Sequence, residues 1–183
     1  MRVARAGDAR AVAAALEAPA DRGDRPAAGG AVTPSAVEAT LARADVTVLL
    51  AEVGTTTVGV LVLRHGETLP LGAAAASVHQ MAVTPSHRRR GVGRALLAAA
   101  VQLAEADGAQ HLVVSAPPGG REAHRFLARL GFSPLVVQRS APVATLRRSR
   151  GAPAVGGEVA LRRAAVERVL LRRRRERGLA GTA

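Results

Sequence analysis

Cysteine, lysine, asparagine, isoleucine, tyrosine and tryptophan are all missing from this 183-residue chain, and phenylalanine occurs only twice. Without cysteine there is no disulfide, no thiolate metal site and no cysteine nucleophile. Without lysine, the Gly-x-x-x-x-Gly-Lys-Ser/Thr phosphate loop is excluded. The scarcity of aromatics removes the stacking platform with which proteins hold single-stranded nucleic acid. Long apolar runs are also lacking: Ala95 to Ala104 is too short for a membrane span and is followed by acids. Met1 to Arg10 alternates charge with small residues and has no apolar core of signal-peptide length. A soluble cytoplasmic protein with no membrane partner is therefore expected. Most of the missing amino acids have A/T-rich codons, which points to a GC-rich gene that writes arginine for lysine.

What is abundant is arginine, which makes up all 26 basic residues and leaves a net charge of +12. The charge is uneven. Residues 1–138 carry 14 arginines against 11 acids, and residues 139–183 carry 12 against 3. The domain is thus nearly balanced and the excess belongs to the tail. Leu170-Leu-Arg-Arg-Arg-Arg-Glu-Arg177 can be read in two ways. One is salt-sensitive, non-specific contact with nucleic acid. The other, which we prefer, is the end of an amphipathic helix that docks Leu161, Ala165 and Val169 on the domain or on a second subunit of a homodimer.

Hydrophobic patterning divides the chain into a domain, residues 1–150, and a linker with an Arg-rich helical tail, residues 151–183. Arg2 to Ala6 is a short strand candidate, and Gly7-Asp8 offers a cap for a helix running to about Ala18. Pro19 to Gly30 is a loop. Ser35-Ala-Val-Glu38 is a capping box opening a second helix to about Asp45, with Val37, Leu41 and Ala44 on one side. Val46–Val53 and Val58–Arg64 form a hairpin, residues 65–76 a loop, and Ser77–Val83 a strand. Gly91 or Val92 to Asp107 is a helix with Leu96, Leu97, Val101 and Ala104 at helical spacing. His111–Ala116 is a buried strand, Arg121–Leu130 a helix and Phe132–Arg139 a last strand. Pro142–Arg150 is a strand or a short helix, Gly151–Gly157 a linker, and Val159–Arg177 the tail helix. The order is that of an α+β domain.

The chemistry centres on Val83-Thr-Pro-Ser-His-Arg-Arg-Arg-Gly-Val-Gly-Arg94. A strand stops at Pro85 and a loop of arginines and glycines leads into a helix start. The unpaired N–H groups and positive dipole end of such a start favour an anion. Gly91 and Gly93 let a phosphate approach the backbone, and the arginines supply charge and paired donors. A dinucleotide fingerprint needs a third glycine, where this chain has Leu96. What remains is Arg88-Arg-Arg-Gly91-Val-Gly93. With the strand before it and Arg-Ala-Leu-Leu after it, this resembles the coenzyme A pyrophosphate turn of the GNAT acetyltransferase superfamily. Phe126-Leu-Ala-Arg-Leu-Gly-Phe132 resembles that family's second signature, and the likeness runs from about residue 1 to 140.

The resemblance implies a mixed, mostly antiparallel sheet flanked by helices, with acetyl-CoA as co-substrate and no metal. It implies that Met81, Ala82 and Val83 offer backbone contacts to the pantetheine arm. It also implies that Arg88, Arg89, Arg90, Gly91, Val92, Gly93 and Arg94 surround the pyrophosphate, with Arg88 or Arg89 ahead of Arg90 as a phosphate ligand. Where the family often has a catalytic glutamate, this chain has His79, and imidazole titrates in the range that a general base needs. The alternative for His79 is a half-buried strand histidine bonded to a backbone carbonyl. His124 is expected on a helix surface. His65, His87 and His111 lack metal-site spacing. Two departures stand out. The family's usual tyrosine acid falls at Leu127, and Gly120 occupies a common asparagine position; Ser115 or water is a substitute acid. Asp21, Asp24 and Glu67 are loop acids able to draw a cationic amine. Three functions follow: acetyl transfer to an amine of a small molecule or protein, a silent acyl-CoA-binding regulatory domain, or a nucleic-acid-associated protein acting through its tail.

Overall fold

The computed structural model describes residues 1–17, 31–69, 72–116 and 119–136, together with Val143 and Leu146. The chain divides into two compact units, Met1–Leu135 and Val136–Ala183. Within the first lie strands β1 (Arg2–Val3), β2 (Val46–Val53), β3 (Thr56–Thr68), β4 (Ala74–Val83) and β5 (His111–Val114), and helices α1 (Ala9–Glu17), α2 (Pro34–Leu41), α3 (Val92–Ala106) and α4 (Arg121–Arg129). The five strands form one sheet in sequence order. Its first three pairings are antiparallel and the last, β4 with β5, is parallel.

Alternation along the two central strands explains why helices cover both faces. Val48, Leu50, Val60 and Val62 join Val12, Ala13 and Val37 of α1 and α2 in one apolar cluster. Leu49, Ala51, Leu61 and Leu63 join Leu96, Leu97, Ala100 and Leu127 of α3 and α4 in the other. A strand whose side chains alternate between two buried faces reads as an unbroken apolar run, as Val58-Gly-Val-Leu-Val-Leu63 does. Among the described residues, no helix is long and apolar enough to cross a membrane.

The α+β class and the mostly antiparallel sheet match expectation, while several boundaries do not. The expected loop at 65–76 is largely strand: Glu67 pairs with Ala75 and Thr68 with Ala74. The polar run Arg64-His65-Gly66-Glu67 is a bulge within β3, with Gly66 at φ +67°. The cap of α2 is Thr33, not Ser35. Its hydroxyl accepts from the Ala36 N–H at 3.2 Å, Pro34 follows as first helical residue, and the helix stops at Leu41. On α3 the core position is Ala100; Val101 is exposed. β5 is half-buried rather than buried and ends at Val114. Residues 132–136 form no strand, and Leu135 and Val136 face solvent. Val143 and Leu146 are helical, as the short-helix alternative required. The loop at 19–30, with Asp21 and Asp24, and the linker and tail from 151 onward lie outside the described residues.

Two local devices set the frame. Arg2 forks between Asp8 (2.7 Å) and Glu52 (2.7 Å), tying the chain start to β2. The Arg2 guanidinium, and after it the Arg5 N–H, hold the Asp8 carboxyl well below the usual range. The second device is Gly59, a glycine inside β3 that faces the start of α3. A Cβ there would sit 2.9 Å from Val92 Cγ1 and 3.1 Å from Leu96 Cδ1. Gly59 is therefore what lets the first turn of α3 lie directly on the sheet. We expect Gly59→Ala to destabilise the domain by about 1–3 kcal/mol, the usual cost of overpacking. Adding Val92→Ala should recover part of that in urea denaturation; full stability of the single variant would show the contact to be soft.

Candidate active site

The site starts where the sheet parts. β5 pairs with β4 from Ala75 to Val78, and the Ser115 N–H donates to the Val78 carbonyl at 3.2 Å. Beyond that point no strand among the described residues follows Gln80–Val83 on this side. On its other side β4 remains paired with β3 through Gly59–Val62. The Thr84 N–H donates to the Val58 carbonyl at 2.9 Å. Hydrogen-bonded and non-hydrogen-bonded pairs alternate in an antiparallel ladder. Ala82 and Gln80 therefore spend their main-chain groups on β3, while Met81 and Val83 turn theirs toward the open edge. The Val83 carbonyl is already met by Arg88, whose Nε donates to it at 3.3 Å.

The turn that follows is tightly built. Pro85–His87 is a single 3₁₀ turn after Thr84, fastened by His87 Nδ1 lying 3.1 Å from Thr84 Oγ1 and 3.0 Å from Ser86 Oγ. Arg89 then takes φ +59°, the sole non-glycine residue at positive φ among those described. Such a conformation costs about 1–3 kcal/mol and persists where the surroundings impose it. Arg89 is strongly exposed and lies 3.3 Å from Glu122 of α4. Gly91, at φ +84°, caps α3 without any side-chain hydrogen bond. The first amides of α3 consequently keep their donors for something outside the helix. A Cβ on Gly91 would meet nothing within 4 Å, so its glycine is required by backbone conformation. Gly93 differs: its Cβ position lies 3.4 Å from the Phe126 ring and 3.9 Å from Val83. This contact joins the two sequence signatures. Arg90 and Arg94 are exposed and Val92 is half-buried.

His79 occupies the bulge in β4, since Val62 pairs with Gln80 and Leu63 with Val78. It is 47% exposed in its side chain, and its Nε2 lies 3.3 Å from Glu67 Oε1. It is therefore bonded to a carboxylate and not to the backbone carbonyl that the alternative reading supposed. Glu67 is likewise no isolated loop acid. Its Oε2 accepts from the Ser77 hydroxyl, and Arg64 NH1 lies 3.3 Å from its Oε1. Ser77 is the one buried polar side chain among the described residues. Donation from Ser77, and next from His79, holds the Glu67 carboxyl below its ordinary range against the opposing effect of burial. Sequence reading missed this cluster because Glu67 and His79 meet only through the β3–β4 register.

The remaining residues fall into place more simply. Leu127 is buried in the core cluster on the α3 side, so no donor stands there. Gly120 is buried at the start of α4, Ser115 is exposed just past β5, and His124 is exposed on α4. His65 bridges Asp107 and Thr47 at the far end of α3, away from the turn.

Residues 18–132 match the acetyltransferase (GNAT) family. No curated protein sequence matches the chain. Among solved structures the chain resembles a ribosomal-protein-alanine N-acetyltransferase from Brucella melitensis biovar Abortus 2308, with 21% identity, 77% of this chain and 96% of that one covered, and a TM-score of 0.63. It also resembles a transcriptional regulator from Bacillus halodurans C-125, at 19% identity, 77% and 97% coverage and a TM-score of 0.65. A third is AAC(6')-Iy in complex with the bisubstrate analogue CoA-S-monomethyl-acetylneamine, at 15% identity, 77% and 97% coverage and a TM-score of 0.61. At these identities the structures share the fold.

Proposed function

The chain belongs to the acetyltransferase (GNAT) family, and from that premise we propose that it carries an acetyl group from acetyl-CoA to a primary amine of a small molecule or protein, by direct attack in a ternary complex. The observation that carries this reading is the free edge of β4 leading straight into the Gly91 turn. One end of that track offers strand-like main-chain groups and the other offers helix-start N–H groups. That is the sequence of partners needed by an amide-bearing arm ending in a pyrophosphate.

Bound acetyl-CoA supplies the activated acetyl group. On the protein side, Met81 and the Val83 N–H would pair with the arm, with Ala82 lending support from the β3 side. The amides of Gly91, Val92, Gly93 and Arg94 would face the pyrophosphate. Arg89 and Arg90, both exposed, add charge there, and Arg88 braces the turn through Val83. His79 stands beside the parting and would accept the proton that an ammonium must lose before it can attack. The Glu67 carboxylate next to it favours a cationic acceptor. The names of two similar structures, a ribosomal-protein-alanine N-acetyltransferase and AAC(6')-Iy held with a CoA–acetylneamine conjugate, support an amine as acceptor.

One observation favours a second reading, a silent acyl-CoA-binding domain. Leu127 stands where a tyrosine acid is usual and is packed into the core. A thiolate with a pKa near 8.5 leaves tolerably without a proton donor, which keeps catalysis the better reading. A thiol-release assay over a panel of amines and peptides tests it. Turnover of at least one amine is expected. Tight acetyl-CoA binding with no turnover on any acceptor would establish the silent domain instead.

A further inference from the structure

We infer that Glu67 is a positioning residue that holds His79 in a single tautomer, with the hydrogen on Nε2 and the lone pair on Nδ1. The inference rests on His79 being the base proposed above. Its observations are local. His79 Nε2 lies 3.3 Å from Glu67 Oε1. Glu67 is anchored on both oxygens, by the Ser77 hydroxyl on Oε2 and by Arg64 on Oε1. Arg64 is in turn held by Asp45 at 3.1 Å.

An ionised carboxylate only accepts hydrogen bonds. The Ser77 donation and the depressed pKa of Glu67 keep it ionised at neutral pH. The facing ring nitrogen must therefore carry the hydrogen, and the neutral ring presents an unprotonated Nδ1. Among the described residues Nδ1 has no protein partner, and the ring is half exposed. The proton balance is simple. The Nδ1 lone pair forms a new N–H bond with the ammonium proton, and the electrons of the broken bond stay on the amine as its nucleophilic pair. Glu67 gains no proton; it steadies the imidazolium that results.

Two β-bulges create the arrangement. The extra residue at His79 falls where β5 leaves β4, and His65–Gly66, two residues opposite the single Ala76, bring Glu67 beside His79. The bulge at His79 also serves the core, because its extra residue lets Met81 and Val83 pack on the same face as Ala76 and Val78.

The test uses the full chain labelled with ¹⁵N-histidine. Long-range ¹H–¹⁵N spectra of the unprotonated rings are recorded for the parent, Glu67→Ala and Glu67→Gln, with His79→Ala assigning the signal. The parent should show the Nε2–H pattern for His79, and Glu67→Ala the mixed pattern of a free imidazole. Turnover in Glu67→Ala should fall on the order of tenfold with the KM for acetyl-CoA unchanged. Glu67→Gln keeps an acceptor oxygen, so it should restore the tautomer and much of the turnover. An unaltered His79 spectrum in Glu67→Ala overturns the inference, as does failure of Glu67→Gln to restore the tautomer in a folded protein. A normal turnover in His79→Ala would instead overturn the base assignment and leave the tautomer result standing, so the two failures are told apart.

Discussion

Replacing His79 by alanine should lower kcat at neutral pH by about a hundredfold to a thousandfold and leave the dissociation constant for acetyl-CoA nearly unchanged. The scale follows from the acceptor. An alkylamine with a pKa near 10.4 is neutral in only about one molecule in a thousand at pH 7.4. A residue that removes the proton in the site recovers much of that factor, and general-base catalysis is typically worth about 10²–10⁴. The affinity should hold because His79 lies on the bulge before the free edge of β4, while the proposed cofactor contacts begin at Met81. The variant's defect should shrink as pH rises toward the pKa of the amine, because the solvent then does what His79 did. Steady-state rates from pH 6 to 10, with binding followed by calorimetry, measure both. A kcat equal to the parent's at neutral pH would remove His79 from the mechanism.

The second large effect is a contrast between adjacent residues. Met81→Pro should weaken acetyl-CoA binding by about tenfold or more in a protein that still folds, while Ala82→Pro should compromise the fold. Proline deletes an N–H and is tolerated in a strand only where that N–H faces away from the ladder. The register puts the Met81 N–H on the open side and commits Ala82 to Val60 of β3. Losing the Ala82 bond leaves the Val60 carbonyl, in a fully buried residue, without its donor, at about 1–3 kcal/mol. Thermal melts with and without acetyl-CoA separate the cases. Met81→Pro should melt near the parent without ligand and show a smaller ligand-induced shift. Equal ligand shifts in parent and Met81→Pro would mean that the free edge does not receive the cofactor.

Gly91 and Gly93, two identical residues in one motif, stand in different surroundings. Gly91 answers a backbone demand, a left-handed helix cap in open space. Gly93 has neighbours, but a Cβ there would lie at ordinary van der Waals distance from Phe126, thirty-three positions along the chain. A bare Gly-x-Gly suggests phosphate access for both. The conformational role of Gly91 can be argued from neighbouring residues alone, whereas the approach of Phe126 to Gly93 is seen only in the folded chain.

The boundaries that moved did so for related reasons. Arg64-His65-Gly66-Glu67 has the composition of a loop, yet it stays in the sheet because Ala74–Ser77 lie opposite it. The α2 cap shifted to Thr33 because Pro34 already suits the first helical position. Ala100 displaced Val101 because alanines on an alanine-rich helix carry little contrast in hydrophobic period, and the sheet decided which side faced inward. Phe132 to Val136 reads as strand by composition. Pro134 offers no donor there, and the sheet ends at β5 among the described residues.

By itself the sequence determined the elements that rest on short-range physics: the β2–β3 hairpin, the strand stopped at Pro85, the arginine and glycine turn, and the helix beginning at Val92. From these the resemblance to the family could be read, because proline, glycine and helix-start amides act within a few residues of where they stand. Only the tertiary structure decided which groups meet. Glu67 reaches His79 through a register shifted by two bulges, Met81 and not Ala82 faces the open edge through ladder alternation, and Gly59 is needed because α3 rests on it. Each of these depends on pairing between segments far apart in the chain, where a shift of one residue turns every group to the other side.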